Sequence, residues 1–295
     1  MEVHQLAYFV AVVEEKNFTR AAARLRVAQP SVSQQIRRLE RELGESLLDR
    51  TGRTVRLTAA GTALLPHARA ALGALSSGRQ AVDELRGLIS GEVSIGITAS
   101  LPVIDLPRML TEFREHHPGI QISLTETDAA AVLDGIRTGE FDIGLASLAE
   151  PPPAEFSGRH LGTLPLVIAT STDDPLAGHH RGPLRLIEDR PLITLPRGSA
   201  LRQILDTGCE RAEFRPRISY QASSLPLLIE LTARGLGVAV VPAWAVHTTP
   251  VLLHTIEIDD PELHGYAFLM HRANEPVSPA ARAFLDLIEP ELTVP

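Results

Sequence analysis

The residues whose chemistry is easiest to read lie between Phe18 and Leu43. Ser33, Gln34, Arg37 and Arg41 share one face of a predicted helix that has Pro30 at its first helical position, where the missing N–H costs nothing. Short hydrogen-bonding side chains at the start of such a helix reach base edges in a major groove, and arginines further along hold phosphates. The opposite face, Val32, Ile36, Leu39 and Leu43, keeps spacings of four, three and four and is predicted to be buried. A first helix precedes it, with Thr19 as N-cap and Ala21, Ala22, Ala23 and Leu25 as helix formers. Gln29 is the predicted cap of the second helix, a weaker choice than Ser or Asp. The competing reading is a helical hairpin with a solvated charged face. The stretch Asp49-Arg-Thr-Gly-Arg-Thr-Val-Arg-Leu57 weighs against it. A turn at Thr51-Gly52 joins two short extended segments and carries Arg50, Arg53 and Arg56, a basic wing suited to phosphates or a narrow groove.

A second set of polar side chains is spread over the rest of the chain. Ser100, Thr127-Asp128, Ser199 and Ser223-Ser224 each stand where a predicted strand ends and a predicted helix begins. In open α/β sheets, ligands bind beyond the carboxyl ends of strands. Free N–H groups and hydroxyls at helix starts suit a carboxylate or another small anion. Each residue alone also reads as an ordinary N-cap. Asp128 disfavours a simple dicarboxylate if it faces the ligand; otherwise it stabilises its helix through the macrodipole. Arg197 and Arg202 flank Ser199 and offer a carboxylate fork or a solvated face.

These side chains need elements to hold them. Residues 4–15 form an amphipathic helix with Leu6, Phe9, Val10 and Val13 inward. From Thr58 to Ile89 the sequence reads as one long helix. Its seam is Leu64, Ala68, Ala71, Leu75, Gly78, Val82, Leu85 and Ile89, at alternating spacings of four and three. Pro66 predicts a kink and Ser76-Ser77-Gly78 a bend. Such a seam joins two copies, and a two-copy reader engages two half-sites; the alternative is a helix packed on its own chain. After Ser90-Gly91, strands alternate with helices. The predicted strands are 93–98, 120–126, 141–146, 164–170, 191–195, 217–221, 236–241, 251–258 and 265–271. The predicted helices are 102–116, 129–138, 199–207, 224–234 and 278–289. That alternation means α/β with largely parallel sheets.

The chain has 295 residues, enough for two or three domains, and is 44% hydrophobic and 22% charged. Its net charge of −8 argues against nucleic acid until it is divided. Residues 1–60 hold 10 basic and 7 acidic residues, so the positive charge sits with the helix pair and wing. No run of 18 apolar residues predicts a membrane span, and Met1-Glu-Val-His does not resemble a signal peptide. Cys209 is the single cysteine, which excludes an intrachain disulfide; the expected address is cytoplasmic. His116-His117 and His179-His180 are adjacent pairs with poor chelating geometry. No Gly-x-Ser-x-Gly, Walker loop or His-Glu-x-x-His occurs, and Gly235-Leu-Gly precedes a strand, which rules out a dinucleotide fingerprint. No enzyme, metal or cofactor is expected.

Residues 3–65 resemble the N-terminal domain of LysR-type transcriptional regulators. Phe9-Val-Ala-Val-Val-Glu-Glu, Phe18-Thr-Arg-Ala-Ala, Gln29-Pro-Ser-Val-Ser, Arg38-Leu-Glu, Leu43-Gly and Leu57-Thr-Ala-Ala-Gly61 match the family pattern in order and without gaps. The resemblance implies a multidomain protein. A winged helix-turn-helix (1–58) is followed by a dimerising linker helix (59–90) and a two-lobed effector domain similar to periplasmic binding proteins (91–295). Lobe one is placed at about 91–161 and 268–295, lobe two at about 162–267. The implied DNA-binding set is Thr19, Gln29, Pro30, Ser31, Ser33, Gln34, Arg37, Arg50 and Arg53. The implied effector set is Ser100, Thr127, Asp128, Ser199, Ser223 and Ser224, facing one interlobe cleft. Expected partners are an operator duplex, a small effector (a carboxylate over a neutral molecule), a second or fourth copy of the chain, and RNA polymerase if the protein activates. Cys209, near a predicted helix C-terminus, reads as structural or idle, and the resemblance adds a redox-sensing role as the alternative. Two rival readings remain: a constitutive repressor with a vestigial pocket, and a cytoplasmic solute-binding module or enzyme with a fused helical domain.

Overall fold

A computed structural model describes residues 1–50, 54–84, 91–98, 101, 104–273 and 277–288. At the N-terminus, α1 (Val3–Glu15), α2 (Phe18–Leu25) and α3 (Gln29–Leu43) enclose one core. Phe9, Val12, Ala21, Val32, Ile36 and Leu39 are fully buried within it. Each large aliphatic side chain there contributes ~1.5–3 kcal/mol by leaving water. On α1, Val12 is buried while Val10 and Val13 are only half-buried. The reason is that α1 touches α2, α3 and also the following long helix, so its buried stripe is wider and rotated from the predicted one.

The helix starts differ from the predicted ones. Asn17, not Thr19, caps α2: its Oδ1 accepts from the N–H groups of Thr19 (2.8 Å) and Arg20 (3.1 Å). Phe18 is already helical, so the cap falls one residue before it. α3 has Ala28 at its N-cap with no side-chain hydrogen bond, which makes Gln29 the first helical residue and Pro30 the second. Leu43 is 42% exposed, because the last turn of α3 runs past the core before Gly44 ends it in the left-handed region (φ 74°).

The wing is a two-stranded ribbon, β1 (Leu48–Asp49) paired antiparallel with β2 (Arg56–Leu57). Its tip, 51–53, lies outside the described residues, and Arg53 with it. Then α4 (Ala59–Glu84) begins. Thr58 Oγ1 accepts from the Gly61 N–H at 3.0 Å and donates to the Ser46 carbonyl at 2.6 Å, so one hydroxyl fastens the wing to the long helix. The helix runs without a break through Pro66 and through Ser76-Ser77-Gly78. Leu64 and Ala68 pack on the N-terminal core, whereas Ala71, Leu75 and Gly78 of the predicted seam face solvent. The side chains at 82, 85 and 89 lie outside the described residues.

The remaining elements are β3 (Gly91–Ile97), α5 (Leu106–His116), β4 (Ile120–Glu126), α6 (Ala129–Thr138), β5 (Ile143–Leu148), β6 (Phe156–Thr170), β7 (Arg181–Gly182), β8 (Pro191–Thr194), α7 (Ala200–Arg211), β9 (Arg217–Gln221), α8 (Leu225–Ala233), β10 (Ala239–Pro242), α9 (Ala243–His247), β11 (His254–Ile258), β12 (His264–Arg272) and α10 (Pro279–Ile288). The large sheet runs β4-β3-β5-β12-β6-β11-β7, with β10 also on β6, and β8 pairs with β9 separately. It is mixed, where a largely parallel sheet was predicted. β3 is parallel to β4 and β5, but β12, β10 and β11 all run antiparallel to β6.

Two crossing strands explain this. The first half of β6 pairs with β12 from Phe156↔Arg272 to Pro165↔His264, and its second half pairs with β10 and β11. The strand was expected to begin only at Leu164. A β-carbon on Gly158 would collide with the backbone of Leu269 and Met270, so glycine there permits the strands' close approach. On one side of the crossing, Val93, Ile95, Phe113, Ile143, Leu145 and Phe284 form a core. On the other, Ile168, Ile187, Leu192, Leu205, Val238 and Ile256 form another.

Candidate nucleic-acid interface and ligand-binding domain

One face of α3 is a shallow groove of about 490 Å³ lined by Gln29, Pro30, Ser33, Gln34, Arg37 and Arg41. The reverse face holds Val32, Ile36 and Leu39 with no exposure, so the helix cannot rotate to hide its polar side. Gln29, Ser31, Gln34 and Arg37 are exposed and Ser33 is half-buried. The arginines divide by helix. On α2, Arg24 is held by Glu14 of α1 at 2.7 Å, and Arg20 lies 3.5 Å from Glu15. Among the described residues, no acid pairs with Arg37 or Arg41; the Arg41 Nε donates to the Arg37 carbonyl at 3.3 Å. The uncompensated positive charge therefore lies along α3, where it can meet phosphates.

Arg50 is placed differently from its expected role. Its guanidinium lies over the Phe18 ring, 5.1 Å from the centroid, and its Nη2 donates to Glu40 Oε2 at 2.8 Å. Glu40 Oε1 accepts from the N–H groups of Leu47 (3.1 Å) and Leu48 (3.4 Å). Arg50 thus braces the wing against α3 and α2. Sequence reasoning missed Lys16 and Arg26, exposed cations that close α1 and α2 in the left-handed conformation (φ 50° and 57°). The left-handed closing position favours glycine or asparagine, so the type of neither residue pointed to its place.

In the larger domain, the helix-start residues come together in two pairs of neighbouring strands. Glu126 stands opposite Ile97, and the Thr127 N–H donates to the Ile97 carbonyl, so Thr127 and Asp128 lie beside the end of β3. Gln221 stands opposite Thr194, which sets Ser223 and Ser224 near the loop that carries Ser199. Asp128, Ser199 and Ser224 do cap helices, accepting from the N–H groups of Ala131 (2.8 Å), Arg202 (3.3 Å) and Leu227 (3.4 Å). Ser223 is exposed, and Ser100 lies outside the described residues. Thr127 also lines a cavity of about 300 Å³ whose walls are Arg69 of α4 and residues of β4, α6 and the turn after it, with none, among the described residues, from beyond the crossing.

Arg197 and Arg202 do not form a fork. Arg197 is exposed, whereas Arg202 is buried, its Nε donating to both oxygens of Asp206 (2.8 and 2.9 Å) one turn along α7. Cys209 is buried in the same helix, and burial first, then the Asp206 carboxylate, push its thiol up to about 12. A thiol kept neutral is no redox sensor, so the structure argues against that role. Among the described residues, no group of three or more His, Cys, Asp or Glu is arranged to hold a metal, and no helix is long and apolar enough to cross a membrane.

A winged helix-turn-helix joined by a long helix to a two-lobed α/β domain defines a DNA-binding regulator of the ligand-responsive class. Residues 3–62 match the bacterial regulatory helix-turn-helix proteins of the lysR family, and residues 86–293 match the LysR substrate binding domain. The chain is 32% identical over 303 residues to the transcriptional regulator IlvR of Caulobacter vibrioides, covering 100% of both. It is 34% identical over 280 residues to ShiR of Corynebacterium glutamicum, covering 91% of this chain and 93% of that one. Among solved structures, full-length CbnR in complex with its target DNA superimposes with a TM-score of 0.63 at 26% identity, covering 98% and 99% of the two chains. The chain belongs to the LysR family of transcriptional regulators.

Proposed function

We propose that the α3 groove reads an operator and that a small effector held between the lobes alters how the copies are arranged on it. The observation that carries the first half is the groove itself: Gln29, Ser33 and Gln34 at the helix start, Arg37 and Arg41 beyond with no acidic partner among the described residues, and a fully buried reverse face. Gln29, Ser33 and Gln34 contact base edges; Thr19, Pro30 and Ser31 approach the backbone, and Arg37 and the wing hold phosphates. CbnR, in the similar structure, is bound to DNA. Assembly into a homodimer is supported by the solvent-facing seam of Ala71, Leu75 and Gly78. A homotetramer is supported by Leu124 on edge strand β4 and Tyr220 on edge strand β9, 44% and 45% exposed.

The effector site is proposed at Thr127 and Asp128 of lobe one and Ser199, Ser223 and Ser224 of lobe two, and Ser100 is kept in the proposed set from its position in the sequence. A carboxylate fits these helix starts better than a neutral molecule. An effector shifts the assembly only by preferring one lobe arrangement. The protein works by binding, without catalysis, in the cytoplasm where its operator lies, and contacts RNA polymerase if it activates. Selection of duplexes from a random pool by the full chain tests the reading. A two-half-site sequence is the expected outcome. A chain that enriches no sequence, yet is stabilised in melting by a small carboxylate, is instead a solute-binding module.

A further inference from the structure

The side chain of Arg69, on α4, is 10% exposed and touches both halves of the molecule. Its Nη2 lies 3.3 Å from Glu14 Oε1 on α1. Its Nη1 donates to Glu140 Oε2 at 2.9 Å and to Thr138 Oγ1 at 3.3 Å, at the end of α6. Glu14 is shared, since its other oxygen holds Arg24 of α2. One chain of charges therefore runs from the first helix of the helix-turn-helix to lobe one.

The far end of that chain is built for close contact. Gly139 ends α6 in the left-handed region (φ 69°), and a β-carbon there would lie 3.2 Å from Arg272 Nη2 and 3.8 Å from the Ala70 nitrogen. Arg272 belongs to crossing strand β12, and its Nε and Nη2 donate to the Ile136 carbonyl at 3.3 and 2.9 Å. The end of α6 thus joins β12 to α4. The start of α6 carries Thr127 and Asp128. Its ten residues make a rigid rod of ~15 Å, so a shift at one end is delivered to the other.

Arg69 Nε is buried and, among the described residues, has no hydrogen-bond partner. Two helices are held together more firmly by apolar packing than by an incompletely satisfied guanidinium. What the guanidinium offers instead is a contact that can be exchanged, with a donor to spare. We propose that Arg69 is a positioning residue that couples the two halves: its hold on Glu140 fixes the helix-turn-helix against lobe one, and movement of α6 redistributes Arg69 between Glu140 and Glu14. This rests on the regulator reading above.

The test uses the full chain. Glu140→Gln alters a half-exposed side chain on lobe one, and Glu14→Gln alters the opposite partner. Amide hydrogen exchange is followed in α1–α2 and in residues 129–141. Coupling predicts that each substitution raises exchange on the far side as well as locally, by about two- to thirty-fold. Changes confined to the substituted side in both variants would make Arg69 a local ion pair and overturn the proposal. The same variants are titrated against the duplex that the wild-type chain selects. Glu140→Gln should shift that affinity over the same range, and an unchanged affinity would also overturn the coupling. If the wild-type chain selects no duplex, the regulator reading fails, while the exchange measurement still decides whether Arg69 couples the halves.

Discussion

Gln34 stands exposed in the α3 groove with nothing but solvent to read. Gln34→Ala should alter base preference at one operator position by ~1–3 kcal/mol, measured by repeating the duplex selection with the variant. An unchanged preference would mean that another side chain enters the groove. Arg37→Ala should instead weaken all sequences alike and lower the salt slope by roughly one. Cys209 gives a residue-scale expectation of another kind. Its folded thiol is raised to about 12 from an ordinary value near 9. A raised acid keeps its stabilising contribution below the unfolded value and loses it as pH climbs to the folded one. Stability should therefore fall between about pH 9 and 12, and Cys209→Ala should flatten that limb of a pH-dependent urea titration. At pH 7, alkylation of the native chain should be far slower than of the unfolded chain. Rapid native labelling would contradict the burial and reopen a redox role.

At the scale of elements, the helices that bury one face were legible, and their ends were not. Val32, Ile36 and Leu39 of α3 followed the sequence period because one apolar stripe meets one core. Leu43 did not, because helix length is set by Gly44 and not by the stripe. Thr19 looked like a cap because Ala21 to Leu25 marked the helix, but Phe18 lies inside it and the cap fell to Asn17. The early half of β6 was invisible because Ser157-Gly-Arg-His160 shows no alternation; its structure comes from pairing with β12, a partner about a hundred residues away. The site residues divided in the same way. The α3 groove is local and could be read, whereas the role of Arg50 depends on Glu40, a neighbour on another element that spacing alone did not single out; the Arg202–Asp206 pair, four residues apart on α7, was readable from spacing but went unread. The seam of α4 carries the element-scale prediction. Leu75 is 48% exposed in one chain, so Leu75→Asp should leave the protein folded but monomeric in analytical ultracentrifugation. A variant that still sediments as a dimer would move the contact to another face.

At the scale of the whole molecule, the N-terminal core around Phe9 and Ile36 shares no buried residue, among the described residues, with the cores on either side of the crossing strands. A fragment of residues 89–295 should therefore melt cooperatively on its own, as a domain with its own interior does. A fragment that shows no thermal transition would make the α4 contacts part of its core.

The shared carboxylate of Glu14 has one more consequence. Arg24 and Arg69 both draw on it, so anything that recruits Arg24, such as a phosphate of the duplex, changes what Glu14 offers Arg69. Coupling free energy is reciprocal: if the effector alters operator affinity by some factor, the operator alters effector affinity by that same factor. With that coupling, the duplex would in this sense regulate the ligand-binding domain. A dissociation constant measured on the severed domain would describe a protein with the operator's influence cut away, and the tightness of effector binding in the cell would depend on which promoter the protein occupies.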